Sequence, residues 1–144
     1  MINEKRNLFF LVDDDELFLK SMTIEFSENT KSDLITFGTG EECVKNLKLN
    51  PDIIILDYYL NSVDKEAING LETLDIIKSV NNQIPVIILS SQDRIEVAVN
   101  CMKHQAFDYI VKSETAFVRL QKAITTIVHY QRIEKALSWY MEKM

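Results

Sequence analysis

Four short apolar runs, separated by stretches long enough for helices, each lead into polar side chains. Leu8 to Val12 runs into Asp13, Asp14 and Asp15; Ile53 to Leu56 into Asp57; Val86 to Leu89 into Ser90 and Ser91; and Tyr109 to Val111 into Lys112. Runs this short, rich in β-branched and aromatic residues and without polar alternation, predict strands buried on both faces of a parallel sheet. Leu34 to Phe37 predicts one more strand. The segments between predict helices. The first is capped by Asp14 or Asp15 and runs to about Glu28, with Leu17, Phe18, Ser21, Met22 and Ile24 to Phe26 facing inward. Others follow over Glu41 to Leu49, with Cys43, Val44 and Leu47 inward, over Leu71 to Val80, over Asp93 to about Lys103, and from near Glu114 onward. Breaks fall at Asn29 to Ser32, Gly38 to Gly40, Asn50 and Pro51, and Asn81 to Gln83.

Strands alternating with helices predict a doubly wound α/β fold, in which the carboxyl ends of the strands share one edge and ligands bind there. That edge would collect several carboxylates, a hydroxyl and an ammonium, a set suited to a divalent cation, a phosphoryl group and a nucleophilic aspartate.

Composition narrows the partners. With 144 residues, 47% hydrophobic and 26% charged, the chain fits one globular domain with a sizeable core. A net charge of -6 and the lack of a long basic stretch argue against direct nucleic-acid binding. No apolar run approaches the roughly 20 residues of a membrane span. The charged N-terminal residues lack a signal-peptide layout, which predicts a cytoplasmic protein with no membrane partner. Cys43 and Cys101 have no companions at metal spacing and read as reduced thiols. His104 and His129 likewise lack acidic or cysteine companions at catalytic spacing and read as surface residues.

Taken in order, LVDDD, PDIIILD, PVIILSS and DYIVK resemble the motifs of the two-component response-regulator receiver family, over about Asn7 to Val128. The resemblance implies a flavodoxin-like, five-stranded parallel sheet in the order 2-1-3-4-5 with five helices. It implies a phosphorylation-controlled switch rather than an enzyme of turnover. A histidine kinase or histidine phosphotransfer protein would donate a phosphoryl group to Asp57, and a downstream protein target or output domain would read the result. It further implies Mg²⁺ held by Asp14 and Asp57, with Asp13 binding directly or through water, and by the main-chain carbonyl of Tyr59. Asp15 is then the helix cap. Lys112 would meet one phosphoryl oxygen and Ser90 another, while Tyr59, Ser91 and Gln92 flank the group. Ser90 and Tyr109 would form the moving switch.

The chain departs from the family pattern in three places. Ser113 follows Lys112 where proline in a cis linkage is usual, and a cis bond without proline costs about 2.5 to 4 kcal/mol. Asn61 stands where proline is common. Gly70 comes later than the usual glycine, leaving Ser62 to Asn69 as an enlarged polar loop beside the site.

Residues 1–128 are expected to form the receiver and 129–144 a helical extension. In the extension Tyr130, Ile133, Leu137, Tyr140 and Met144 recur at three- and four-residue steps. This narrow apolar stripe, widened by Trp139 and Met141, is expected to pair with a second copy or another partner. Two other function classes fit parts of the pattern. LVDDDEL approximates the nucleophile motif of haloacid-dehalogenase-like phosphatases, with Asp13 attacking and Asp15 as acid/base, although no acidic pair follows Lys112. A receiver-like interaction module that works without phosphorylation is the other.

Overall fold

The computed structural model of the chain describes residues 6–144. The signal-peptide reading of residues 1–5 lies outside them. The elements are β1 (Leu8–Val12), α1 (Glu16–Asn29), β2 (Asp33–Phe37), α2 (Gly40–Lys45), a short 3-10 turn (Leu47–Leu49), β3 (Ile53–Asp57), α3 (Gly70–Val80), β4 (Val86–Ser90), α4 (Ile95–Lys103), β5 (Asp108–Val111) and α5 (Ala116–Lys143). All strand pairings are parallel, and the order is β2-β1-β3-β4-β5. This is the doubly wound, five-helix sheet expected.

Alternation along each strand divides the core between two faces. Phe10, Val12, Ile54, Leu56, Val86 and Ile88 pack with Cys43, Leu74, Ile77 and Cys101 on the side of α2, α3 and α4. Phe9, Leu11, Ile53, Ile55, Ile87 and Leu89 pack with Met22, Phe26, Leu120, Ala123 and Ile127 on the side of α1 and α5. β3 and β4 are buried throughout, which explains their unbroken apolar runs. Both thiols lie in the core, and burial pushes Cys43 up to about 12, far from a reactive thiolate.

Several boundaries and faces differ from the sequence expectation. Leu17 and Ile24 are exposed, as is Ser21, whereas Met22 and Phe26 carry the packing of α1. The Asp15 cap fixes the rotation of this helix and turns Leu17 outward. The helix expected to reach Leu49 stops at Lys45, because Asn46 folds its side chain back onto the Glu42 carbonyl. The 3-10 turn follows and ends at Asn50 in the left-handed region, φ 57°. α4 begins at Ile95 rather than Asp93, since the Arg94 amide is held by the Gln92 side chain. α5 begins at Ala116, after a turn in which the Ala116 amide donates to the Ser113 carbonyl. Among the described residues no helix is long and apolar enough to cross a membrane.

Candidate functional site

The carboxyl ends of β1, β3, β4 and β5 converge, and the three consecutive aspartates after β1 point in three directions. Asp13 extends β1 by one residue through its amide, which donates to the Phe37 carbonyl at 3.0 Å. Its carboxylate is buried, accepting from Lys112 Nζ at 2.6 Å and from the Asp15 amide at 2.9 Å. The Asp14 carboxylate accepts from the amides of Ser62 and Val63, at 2.9 and 3.2 Å, and so ties down the enlarged loop after β3. Asp15 caps α1, accepting from the amides of Leu17 and Phe18.

Asp57, the last residue of β3, is 5% exposed, with Lys112 Nζ 3.6 Å from its carboxylate. Burial pushes Asp57 up to about 7; the neighbouring Asp13 charge adds to the rise and Lys112 opposes it. Burial also raises Asp13, against the pull of Lys112. One ammonium is shared between two carboxylates, and a third stands beside them. Asp13, Asp14 and Asp57 each offer an oxygen within 4.8 Å of the others. A set of hard oxygen donors with uncompensated negative charge fits a divalent cation such as Mg²⁺, and Asp57's upward shift is the electrostatic strain a cation would relieve.

Lys112 is anchored at its backbone, its amide donating to the Ser90 carbonyl at 2.7 Å. Its peptide bond to Ser113 is trans, as are all those of the described residues. The ammonium also lies over the Phe18 ring, 4.3 Å from the centroid.

The opposite wall is organised by Gln92. Its amide donates to Ser90 Oγ at 3.1 Å, and its carbonyl accepts from the Tyr109 hydroxyl at 2.6 Å. Its side-chain nitrogen donates to the Tyr59 hydroxyl at 3.2 Å, and its side-chain oxygen accepts from the Arg94 amide. Ser90 is fully buried, Tyr109 half-buried and Ser91 exposed. Two residues expected to flank a phosphoryl group, Tyr59 and Gln92, are therefore bonded to each other. Gln92 also joins them to Ser90 and Tyr109.

Sequence reading foresaw the meeting of Asp13, Asp14, Asp57, Lys112 and Ser90 but missed three contributors. The Ser62 and Val63 amides carry no side-chain signal. Phe18 was assigned only to the core face, although its place four residues after Asp14 puts it one turn from the site. Gln92 was foreseen as a flank, not as a junction. His104 has an acidic companion after all: its Nδ1 lies 2.7 Å from Asp75 on the surface, well away in sequence.

Residues 9–125 match the family model described as response regulator receiver domain. The chain belongs to that family, so the haloacid-dehalogenase-like alternative falls. A protein-glutamate methylesterase/protein-glutamine glutaminase of Bacillus subtilis is 38% identical over 107 residues, which are 71% of this chain and 28% of that protein. Its namesake from Clostridium acetobutylicum is 31% identical over 113 residues, 74% of this chain and 31% of that one. The chain therefore spans under a third of these curated relatives. Among solved structures, a response regulator receiver domain protein from Clostridium thermocellum has a TM-score of 0.77 at 22% identity, covering 88% of this chain and 98% of that one. NtrX from Brucella abortus has a TM-score of 0.77 at 20% identity, covering 92% and 30%. Receiver domains accept phosphoryl groups from histidine kinases and act on output domains, and they generally bind Mg²⁺ in an acidic pocket.

Proposed function

We propose that this chain is a phosphorylation-controlled switch in which Asp57 is the acceptor. The supporting observation is the Asp57 carboxylate ending a fully buried strand, 3.6 Å from the Lys112 ammonium and clustered with Asp13 and Asp14. One carboxylate oxygen of Asp57 bonds to phosphorus as the bond from phosphorus to a donor histidine nitrogen breaks; the freed imidazole leaves with the electron pair. Asp13, Asp14, Asp57 and the Tyr59 carbonyl would hold Mg²⁺, which neutralises negative charge on the acceptor and the incoming group. Lys112 moves from Asp13 toward a phosphoryl oxygen, contributing a point charge. Ser90 turns its hydroxyl from the Gln92 amide toward another. Because Gln92 also holds Tyr109 and Tyr59, that turn loosens or shifts the start of α4 and the Tyr109 ring, and a downstream protein or output domain reads this surface. The donor is a histidine kinase or a histidine phosphotransfer protein.

The test is intact-mass analysis with phosphoramidate. A gain of one phosphoryl group with Mg²⁺, none with a chelator, and peptide mapping to Asp57 are expected. No gain under either condition would leave the phosphorylation-independent module as the reading.

Tyr59 and Gln92 shield the acyl phosphate from water. Tyr59→Ser opens that wall and removes the acceptor of the Gln92 side-chain nitrogen, and hydrolysis of the phosphorylated protein should accelerate about threefold to tenfold. An unchanged decay rate, followed by the loss of the mass increment, would defeat this role.

The extension beyond Val128 forms a homodimer. No residue after Ile127 is buried, and Tyr130, Leu137, Tyr140 and Met144 are all more than half exposed, with Ile133 at 40%. Their three-four spacing is a coiled-coil seam. In a parallel pair it brings His129 near Glu134 of the second copy. Sedimentation should give a dimer for the parent and a monomer for Leu137→Glu with unchanged melting. A monomeric parent at about 100 μM, a concentration at which a micromolar dimer would be nearly complete, would overturn the assignment.

A further inference from the structure

We propose that Phe18 is a positioning residue for phosphoryl transfer, holding the Lys112 ammonium on the Asp57 side of the site; this rests on Asp57 being the acceptor. Lys112 sits on a flexible four-carbon stem whose ordering costs rotamer freedom. Its backbone is fixed only up to the amide, through the Ser90 carbonyl, and Ser113 follows in a trans peptide with no ring to restrict the chain. The ammonium finds Asp13 at 2.6 Å and Asp57 at 3.6 Å. The Phe18 ring also lies against it, its centroid 4.3 Å away.

A ring in that position does two things. Its negative face attracts the cation without taking a hydrogen bond, so the ammonium keeps its donors for oxygen atoms. Its bulk also walls the ammonium on the α1 side, favouring positions between Asp13 and the group on Asp57. Phe18 is itself held from below. It packs half-buried against the core that includes Met22 and Phe26, and its amide is fixed by the Asp15 cap at 3.2 Å. The third aspartate of the triplet thereby acts on the site indirectly, by setting the turn from which Phe18 rises.

The experiment compares the parent with Phe18→Met, which keeps bulk and loses the ring face, and Phe18→Tyr, which keeps both. The readouts are the rate of Asp57 phosphorylation by phosphoramidate with Mg²⁺ and the NMR shift of the Lys112 ε-methylene protons. A small donor removes any contribution of Phe18 to docking a kinase. Phe18→Met should be about fivefold slower, the size expected of one partly desolvated cation–ring contact, with melting close to the parent's. The ε-methylene protons should be shifted upfield by the ring in the parent and in Phe18→Tyr, and return to the ordinary lysine position in Phe18→Met. A parent rate in Phe18→Met, or lysine protons unshifted in the parent, would overturn the proposal. So would equal slowing in both variants that follows a loss of melting temperature. A parent that is not phosphorylated at all would instead refute the acceptor reading on which the proposal stands.

Discussion

Replacing Asp57 by Asn should abolish phosphoryl uptake, lowering the rate by at least about a hundredfold, because the amide nitrogen and oxygen supply no carboxylate nucleophile. The same substitution should stabilise the metal-free protein at alkaline pH. Asp57 is pushed from 3.8 up to about 7, chiefly by burial and then by Asp13. Between those values the folded protein keeps a proton that the unfolded chain releases. The carboxyl therefore contributes stability that is complete below 3.8 and is lost as pH rises through about 7. At pH 8 without divalent cation, Asp57→Asn removes a buried, poorly compensated charge, and its melting temperature should exceed the parent's by about 5 °C. The gap should narrow as pH falls toward 5. Added Mg²⁺ should raise the parent's melting temperature and affect the variant much less. Paired melting curves at pH 5 and 8 check the sign; a parent more stable than the variant at pH 8 would mean that Lys112 already balances Asp57.

Gly70→Ala should be among the most damaging single changes in the chain. A Cβ at Gly70 would lie 2.2 Å from the Asp57 carbonyl oxygen and 2.7 Å from both Cα and the carbonyl oxygen of Tyr58. All three are backbone atoms, so no side-chain rotation relieves the clash. The Gly70 amide also donates to the Tyr58 carbonyl at 2.9 Å, which fixes how closely the first turn of α3 approaches the end of β3. Forcing the two apart should cost about 3 kcal/mol or more. The displaced residues adjoin the acceptor, so any folded fraction should also take up phosphate slowly. Denaturant melts together with the phosphoramidate assay measure both effects. A variant that melts like the parent would show that the helix can shift without cost.

The sequence disclosed what depends on uninterrupted burial. β1, β3 and β4 were readable because both faces of each strand are covered, leaving no polar alternation to confuse with a helix. The acidic cluster followed from strand polarity, since parallel strands place Asp13, Asp57, Ser90 and Lys112 at one edge. What escaped was set by bonds between distant segments. The orientation of α1 depends on which of two adjacent aspartates caps it. The end of α2 depends on one asparagine bonding backward to Glu42. The enlarged loop showed in the sequence only as a polar stretch, with Asp64, Lys65 and Glu66 facing water, yet its backbone is held by Asp14 across 48 residues of sequence. Amide donors leave no trace in residue types.

Asp13, Asp14 and Asp15 lie side by side in the chain while gripping an ammonium, a loop and a helix. An inserted or deleted residue within that stretch would dislocate all three attachments in one stroke. Such a segment is indivisible, and diversification is channelled into the parts it grips: the length and charge of residues 61–69 and the side chain one turn into α1.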